Sequence, residues 1–74
     1  MFEEIANEIR LAANSNSKIA MFHLQVLMHA HQLADVDATE FCRSVGMKPS
    51  FATEFRKMLS LSKVMEQEGV RLTR

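Results

Sequence analysis

Apolar residues recur along most of this 74-residue chain with the spacing of an α-helix. In the first segment they are three and four residues apart and share one helical face, while acidic and amide side chains occupy the other. A helix over residues 2–13 is therefore predicted, and the polar run 14–17 ends it and offers caps for the next element. The apolar positions of this first helix are Phe2, Ile5, Ala6, Ile9 and Ala13.

A second helix is predicted over residues 18–34, and its apolar positions lie on two faces. A broad stripe is opposed by a second one that consists of Met21, Leu24 and Met28. Because a helix that is apolar on two sides must be covered on both, we interpret it as the central helix of the fold. Either the first helix or a second subunit would cover the Met21 side. On the broad stripe, His23 is expected to be a satisfied core or interface histidine.

The second half of the chain predicts three shorter helices. Asp37 has the position of a capping residue at a helix start, and Gly46 that of the left-handed residue that ends a helix. Pro49 is tolerated in the first turn of the helix that follows. The predicted ranges are 37–45, 49–59 and 61–68.

The boundary between the last two helices rests on a change of apolar phase. If the helix continued straight, Leu61, Val64 and Met65 would fall away from the preceding apolar stripe. The simplest prediction is a break near Ser60; one continuous helix with a second apolar face, which would suit a dimer, is the alternative. The expected fold is thus all-α, a compact bundle of four to five helices in which residues 1–74 form a single domain.

Composition narrows the functional classes. Apolar residues make up 47% of the chain and charged residues 24%, with nine basic against nine acidic side chains, a balance that argues against disorder or a basic tail. No apolar run approaches the ~20 residues of a membrane span, and the first residues lack a signal peptide's basic start. A single cysteine, Cys42, fits a reducing compartment, so we expect a cytoplasmic protein. A chain this short buries only about 60% of its unfolded surface, which is consistent with a dimer or a partner.

The most informative stretch is 38–57, ATEFCRSVGMKPSFATEFRK. Two helices that cross steeply need a small residue where they touch and a positive-φ residue in the turn between them. Residues of these types stand at the required spacing, and the pattern resembles the twenty-residue helix-turn-helix of DNA-binding proteins. The positions that carry the resemblance are Phe41, Cys42, Val45, Gly46, Met47, Ala52 and Phe55.

This resemblance implies a regulator of transcription that reads double-stranded DNA with the helix at 49–59 in the major groove. Residues 43–63 contain five basic side chains against Glu54 alone, a net charge of +4 that the neutral total conceals. The candidates for contact with base edges are Ser50, Phe51, Thr53, Glu54 and Lys57. The candidates for contact with phosphates are Thr39, Arg43, Lys48 and Arg56.

A homodimer would read two half-sites about one DNA turn apart. Its predicted surface combines the first helix with the second stripe of the central helix. A helical protein–protein interaction module, binding a protein partner through its basic or its Met-rich face, is the alternative function. The candidate dimer residues are Phe2, Ile5, Ile9, Met21, Leu24 and Met28.

A weaker resemblance concerns the end of the chain. The stretch 68–72, Glu-Gly-Val-Arg-Leu after a short helix, is similar to the antidote proteins of bacterial addiction modules. It implies a small prokaryotic or phage-type regulator that binds its operator and neutralises a toxin.

Catalytic and metal-binding patterns are missing from the sequence. His23, His29 and His31 are six and two residues apart, whereas zinc ligands on one helical face need a spacing of three or four. Cys42 falls on the packed face of a helix without a base beside it, and no glycine-rich loop follows a strand. We therefore expect no enzymatic activity, no metal and no cofactor.

Overall fold

Helices joined by short turns make up the computed structural model of the chain, which describes residues 2–72. No strand occurs within that range, so the all-α prediction is confirmed. A 3₁₀ turn at Pro49–Phe51 precedes the last helix. The helices are α1 Phe2–Ala13, α2 Lys18–Met28, α3 Ala30–Leu33, α4 Ala38–Ser44 and α5 Ala52–Gln67. None of the helices in this range is long and apolar enough to cross a membrane.

The predicted helix over 18–34 is interrupted at one residue. His29 leaves the helical conformation, with φ −110° and ψ 19°, so α2 ends before it and α3 begins after it. The His29 backbone still takes part in hydrogen bonds on both sides. The His29 N–H donates to the Gln25 carbonyl, and the Leu33 N–H donates to the His29 carbonyl. Ala30 and Leu33 of α3 are both buried in the core.

The predicted break near Ser60 is wrong, and the continuous helix that was the alternative is present. Met58 and Met65 remain half-buried on the inner side of α5, whereas Leu61 and Val64 are 42% and 50% exposed. The change of apolar phase in the sequence therefore marks a second, outward apolar face rather than the end of a helix.

All five phenylalanines of the chain belong to one aromatic cluster. Phe41 of α4 is its centre: its ring lies 5.3 Å from that of Phe2, 6.1 Å from Phe22 and 4.9 Å from Phe55. Phe51 joins through Phe22, with ring centroids 5.9 Å apart. The cluster links α1, α2, α4 and α5, because each of these helices, or the turn before it, contributes at least one ring.

The start of α4 has the cap that the sequence predicts. The Asp37 carboxylate accepts a hydrogen bond of 2.9 Å from the Glu40 backbone N–H, which satisfies one of the free donors of the first turn. Asp37 itself is extended, with φ −64° and ψ 125°, so the chain enters the helix from a different direction.

The end of α4 is a Schellman motif centred on Gly46. The Met47 N–H donates to the Cys42 carbonyl at 2.8 Å, and the Gly46 N–H donates to the Arg43 carbonyl at 3.2 Å. Gly46 has φ +78°, as the sequence predicts for this position. Met47, the residue after it, is buried, so the turn is held by both hydrogen bonds and packing.

We expect Gly46→Ala to lower the free energy of unfolding by about 1–2 kcal/mol, the cost of a left-handed conformation for a residue with a Cβ. A Cβ at this position would meet no atom within 4 Å, so the loss comes from the backbone alone. Gly46→Asn is the matched control and should lose less, because asparagine tolerates this conformation. Urea denaturation measures both, and equal losses for the two variants would contradict this explanation.

Candidate nucleic-acid interface

The stretch 38–57 forms two helices joined by a tight turn and packed against each other. The residues that the motif requires to be inside are buried: Cys42 at 0% exposure, Ala52 at 7% and Phe55 at 1%. Val45 and Met47, on either side of the turn glycine, are buried as well. The predicted helix-turn-helix is therefore confirmed.

A row of exposed polar side chains follows the outer side of this motif. Lys48 lies at the end of the turn, Ser50 in the 3₁₀ turn, and Thr53 and Lys57 on the first turns of α5, and all four are exposed. We call these four residues the outer edge. Because α5 begins within it, the outer edge is presented at the N-terminal end of the second helix, the end that enters the major groove in helix-turn-helix proteins.

Glu54 lies beside the outer edge, but its carboxylate is held by two other side chains. His23 Nε2 of α2 is 3.1 Å from one oxygen, and the Lys57 ammonium donates to the other at 3.3 Å. The bond from Lys57, together with the one from His23, keeps the pKa of Glu54 below its ordinary value. The carboxylate is thus ionised at neutral pH and turned toward cationic or hydrogen-bonding partners within the domain.

The link between His23 and Glu54 joins two helices that are far apart in sequence, and spacing alone did not predict it. The signal that was available is the position of His23 on an otherwise apolar stripe, which predicted a satisfied histidine without naming its partner. In the structure His23 is half-buried and bonded, as expected.

Phe51 was predicted as one of the contacts with base edges, and its placement does not favour that role. The side chain is half-buried, and its ring packs edge-on against Phe22. Its apolar surface is used mainly to attach the 3₁₀ turn to α2.

The predicted phosphate contacts lie on the same motif as the outer edge, and one of them, Lys48, belongs to it. Three of them are exposed: Arg43 on α4, Lys48 in the turn and Arg56 on α5. Within residues 2–72 none of these three forms a salt bridge. Thr39, near the start of α4, is half-buried. The exposed cations are therefore available to an anionic partner.

Arg10 and Lys18 also lie near the turn, although the sequence places them in the acidic half of the chain. Both line a shallow groove together with Ser44, Val45 and Gly46. Folding therefore brings two further cations close to the helix-turn-helix. Counting charges along the sequence could not show that these two side chains lie near the motif.

Cys42 is a packing residue. Burial raises the pKa of its thiol, an effect that the nearby Arg56 guanidinium only partly opposes, so the thiol is protonated at neutral pH. A buried, protonated thiol is a poor nucleophile. Among residues 2–72, moreover, no three histidine, cysteine, aspartate or glutamate side chains are grouped so as to hold a metal ion.

The predicted dimer residues do not share one surface. Ile5 and Ile9 are 0% and 1% exposed in the core of the chain itself, which removes them from the predicted dimer surface. They are buried because α1 covers α2, the first of the two arrangements considered for the central helix. Phe2 and Met21 are half-buried against the same core, whereas Leu24 is 36% exposed. The sixth candidate, Met28, is half-buried beside a groove described below.

The class that this arrangement defines is a small helical domain built around a helix-turn-helix. A family model described as an HTH-like domain matches residues 1–68, and the chain belongs to that family. The match begins with α1, so the family's unit includes the three helices that precede the motif. No curated protein and no solved structure matched this chain. The matched residues end at 68, so the family match does not support the resemblance of 68–72 to antidote proteins.

Proposed function

We propose that this domain binds double-stranded DNA and regulates transcription, with the first half of α5 in the major groove. The observation that carries the proposal is the outer edge: four exposed polar or cationic side chains at the N-terminal end of the second helix of a helix-turn-helix. Exposed cations flank it on α4 and α5, which is the distribution that a phosphate backbone on either side of the groove requires.

The local charge supports DNA over a neutral partner. Residues 43–63 carry five basic side chains, and the one acidic residue among them, Glu54, is already bonded to His23 and Lys57. The Glu54 carboxylate therefore repels an incoming phosphate less than an unpaired carboxylate would. In this proposal Arg43, Lys48 and Arg56 bind phosphates, and the half-buried Thr39 assists at the start of α4.

The base-reading roles fall to the remaining residues of the outer edge. Ser50 and Thr53 carry short hydroxyl groups that both donate and accept, so they suit either kind of base edge. Lys57 donates to the acceptors of guanine once its exposed bond to Glu54 opens. Glu54 then acts through Lys57: its carboxylate holds the Lys57 side chain in place in the free protein and releases it on binding.

The proposal is tested by selecting bound sequences from a random duplex pool and measuring competition between selected and random duplexes. Thr53→Ala combined with Lys57→Ala should abolish the preference for the selected sequence and leave the thermal midpoint nearly unchanged. Both side chains are exposed, and among residues 2–72 the only side-chain bond lost is the exposed one between Lys57 and Glu54.

Ser60→Ala combined with Lys63→Ala is the matched control, because it removes the same chemical groups from exposed positions further along α5. This control should keep the preference even if its overall affinity falls. Sequence preference that survives in the first variant would exclude the outer edge as the reading surface.

An interaction with a protein partner is the second candidate function, and an apolar groove at the far end of α5 favours it. The salt response separates the two candidates. DNA binding weakens steeply as salt rises, in proportion to the phosphates neutralised, whereas an apolar contact hardly responds.

A further inference from the structure

A shallow groove of about 280 Å³ lies between α1, the start of α2 and the turn of the helix-turn-helix. Two cations line it: Arg10 near the end of α1 and Lys18, the first residue of α2. The end of α4 and the turn, residues 44–46, form another wall. The side chains that complete the lining are Ala6, Asn7, Ile9 and Ala13. Within residues 2–72, therefore, the groove carries two positive charges and no acidic side chain.

Both cations keep their charge available to a ligand. The Arg10 guanidinium donates to the Asn7 amide oxygen at 2.9 Å, which is a hydrogen bond to a neutral group and uses one of its N–H donors. Within residues 2–72 neither Arg10 nor Lys18 forms a salt bridge, and both are exposed. Because no carboxylate neutralises them there, the two cations together attract an anionic partner to the groove.

The acidic side chains of α1 lie elsewhere on that helix. Glu4 and Glu8 line a separate groove together with Gln25. Glu3 shares Arg10's side of α1 but precedes it by seven residues, about 10 Å along the helix axis. That separation is roughly one Debye length at 0.1 M salt, so its effect on the groove is screened. Folding therefore separates a basic side of α1 from an acidic one.

The groove is continuous with the basic surface of the motif. Arg43 directly precedes Ser44, which belongs to the groove wall. Lys48 follows Gly46 by two residues, so the Cα atoms of these two are at most about 7 Å apart. Four exposed cations therefore lie at or next to this turn, two from the motif and two from the helices before it. A strip of cations is complementary to duplex DNA, which carries one phosphate charge for about every 1.7 Å of its axis.

We propose that Arg10 and Lys18 bind backbone phosphates of the same duplex that the helix-turn-helix reads, an inference that rests on the proposed function. Neither residue is among the phosphate contacts expected from the sequence, since both precede the motif. Contacts with phosphates position a protein on DNA and carry no sequence information. These two cations therefore raise the affinity for any duplex, and the DNA-binding surface extends beyond the motif to α1 and α2.

The test is fluorescence anisotropy of the full chain on the selected duplex across a salt series, with Arg10→Gln, Lys18→Gln and the double variant. Each lost phosphate contact should make the slope of log affinity against log salt shallower by about 0.9, and the loss of both by about 1.8. The advantage of the wild type over the double variant should accordingly shrink about tenfold between 50 and 200 mM salt. The ratio of the affinities for selected and random duplexes should stay the same.

Arg10→Lys combined with Lys18→Arg keeps both charges and should keep the salt slope of the wild type. Circular dichroism should show unchanged helix content for all of these variants, because both positions are exposed. A charge-conserving variant whose slope falls as far as that of the double glutamine variant would show that the effect is not one of charge, and would overturn the proposed contacts.

Arg71→Gln is the matched control, because it removes one charge from another exposed arginine that forms no salt bridge within residues 2–72. Arg71 lines an apolar groove beside Met65 and Met28, at the end of α2. Lys18 begins that helix, so the two grooves are about 15 Å apart along its axis. Arg71→Gln should leave the salt slope unchanged. Equal changes for Arg71→Gln and Arg10→Gln would reduce the effect to net charge and overturn the proposed contacts.

Duplexes with single methylphosphonate linkages, which lack the charge of one phosphate, locate the contacts on the DNA. At a phosphate that Arg10 or Lys18 binds, this linkage should weaken the binding of the wild type and leave that of the double glutamine variant unchanged. If the wild type and the double variant are sensitive at the same linkages and to the same extent, neither cation binds a phosphate.

The two proposals fail in different ways. If the wild type and the double glutamine variant prefer the selected sequence and have equal salt slopes, Arg10 and Lys18 lie outside the interface and the proposed function stands. If the wild type binds no duplex at any salt concentration, the proposed function fails and these contacts fail with it.

Discussion

Phe41→Ala is expected to leave most of the chain unfolded at 25 °C. The side chain is fully buried, and its ring contacts those of Phe2, Phe22 and Phe55, which belong to three different parts of the fold. Removing a buried phenylalanine costs about 3–5 kcal/mol, and a single core in a chain this short rarely supplies more than that. Circular dichroism during urea denaturation measures the loss.

Phe51→Ala is the control for this prediction, because Phe51 is half-buried and pairs with one ring only. It should lower the free energy of unfolding clearly less than Phe41→Ala does. Phe41→Leu, which keeps most of the buried volume, should restore a folded chain. Similar losses for Phe41→Ala and Phe51→Ala would show that the cluster has no single centre.

The triple variant Arg43→Ala, Lys48→Ala and Arg56→Ala is expected to weaken DNA binding by at least about a hundredfold at low salt. Each phosphate contact contributes roughly 0.9 to the slope of log affinity against log salt, so the slope should become shallower by about 3. Fluorescence anisotropy across a salt series measures both quantities.

The thermal midpoint of this triple variant should change little, because the three side chains are exposed and make no salt bridge within residues 2–72. Affinity should fall equally for selected and random duplexes, in contrast to the variant that lacks Thr53 and Lys57. An unchanged salt slope would remove these three side chains from the interface.

The helix-turn-helix could be predicted from the sequence because its determinants are close together in the chain. Asp37 caps a helix whose first turn follows it directly, and Gly46 adopts a positive φ because a left-handed residue is needed between α4 and the 3₁₀ turn. The same local rules failed at His29 and Ser60. In both places packing against the core decides whether the helix continues. The pattern of apolar residues alone does not show which of two apolar faces will be covered.

The exposure of the outer edge was also predictable, since helical spacing places Ser50, Thr53 and Lys57 away from Phe55. Their partners were not. Glu54 is bonded to His23, thirty-one residues earlier, and only the packing of α2 against α5 brings the two together. Folding likewise decided that Ile5 and Ile9 serve the core rather than a dimer surface.

By itself, the sequence determined the helical class, the caps and turn of the motif, and the row of polar residues on its outer side, because spacing over a few residues decides which side chains share a helical face. Tertiary structure alone decided the course of α5, the link between His23 and Glu54, and the groove beside Met65. These features depend on which helices meet, and a helix with two apolar faces acquires an inside and an outside only when a neighbouring helix covers one of them.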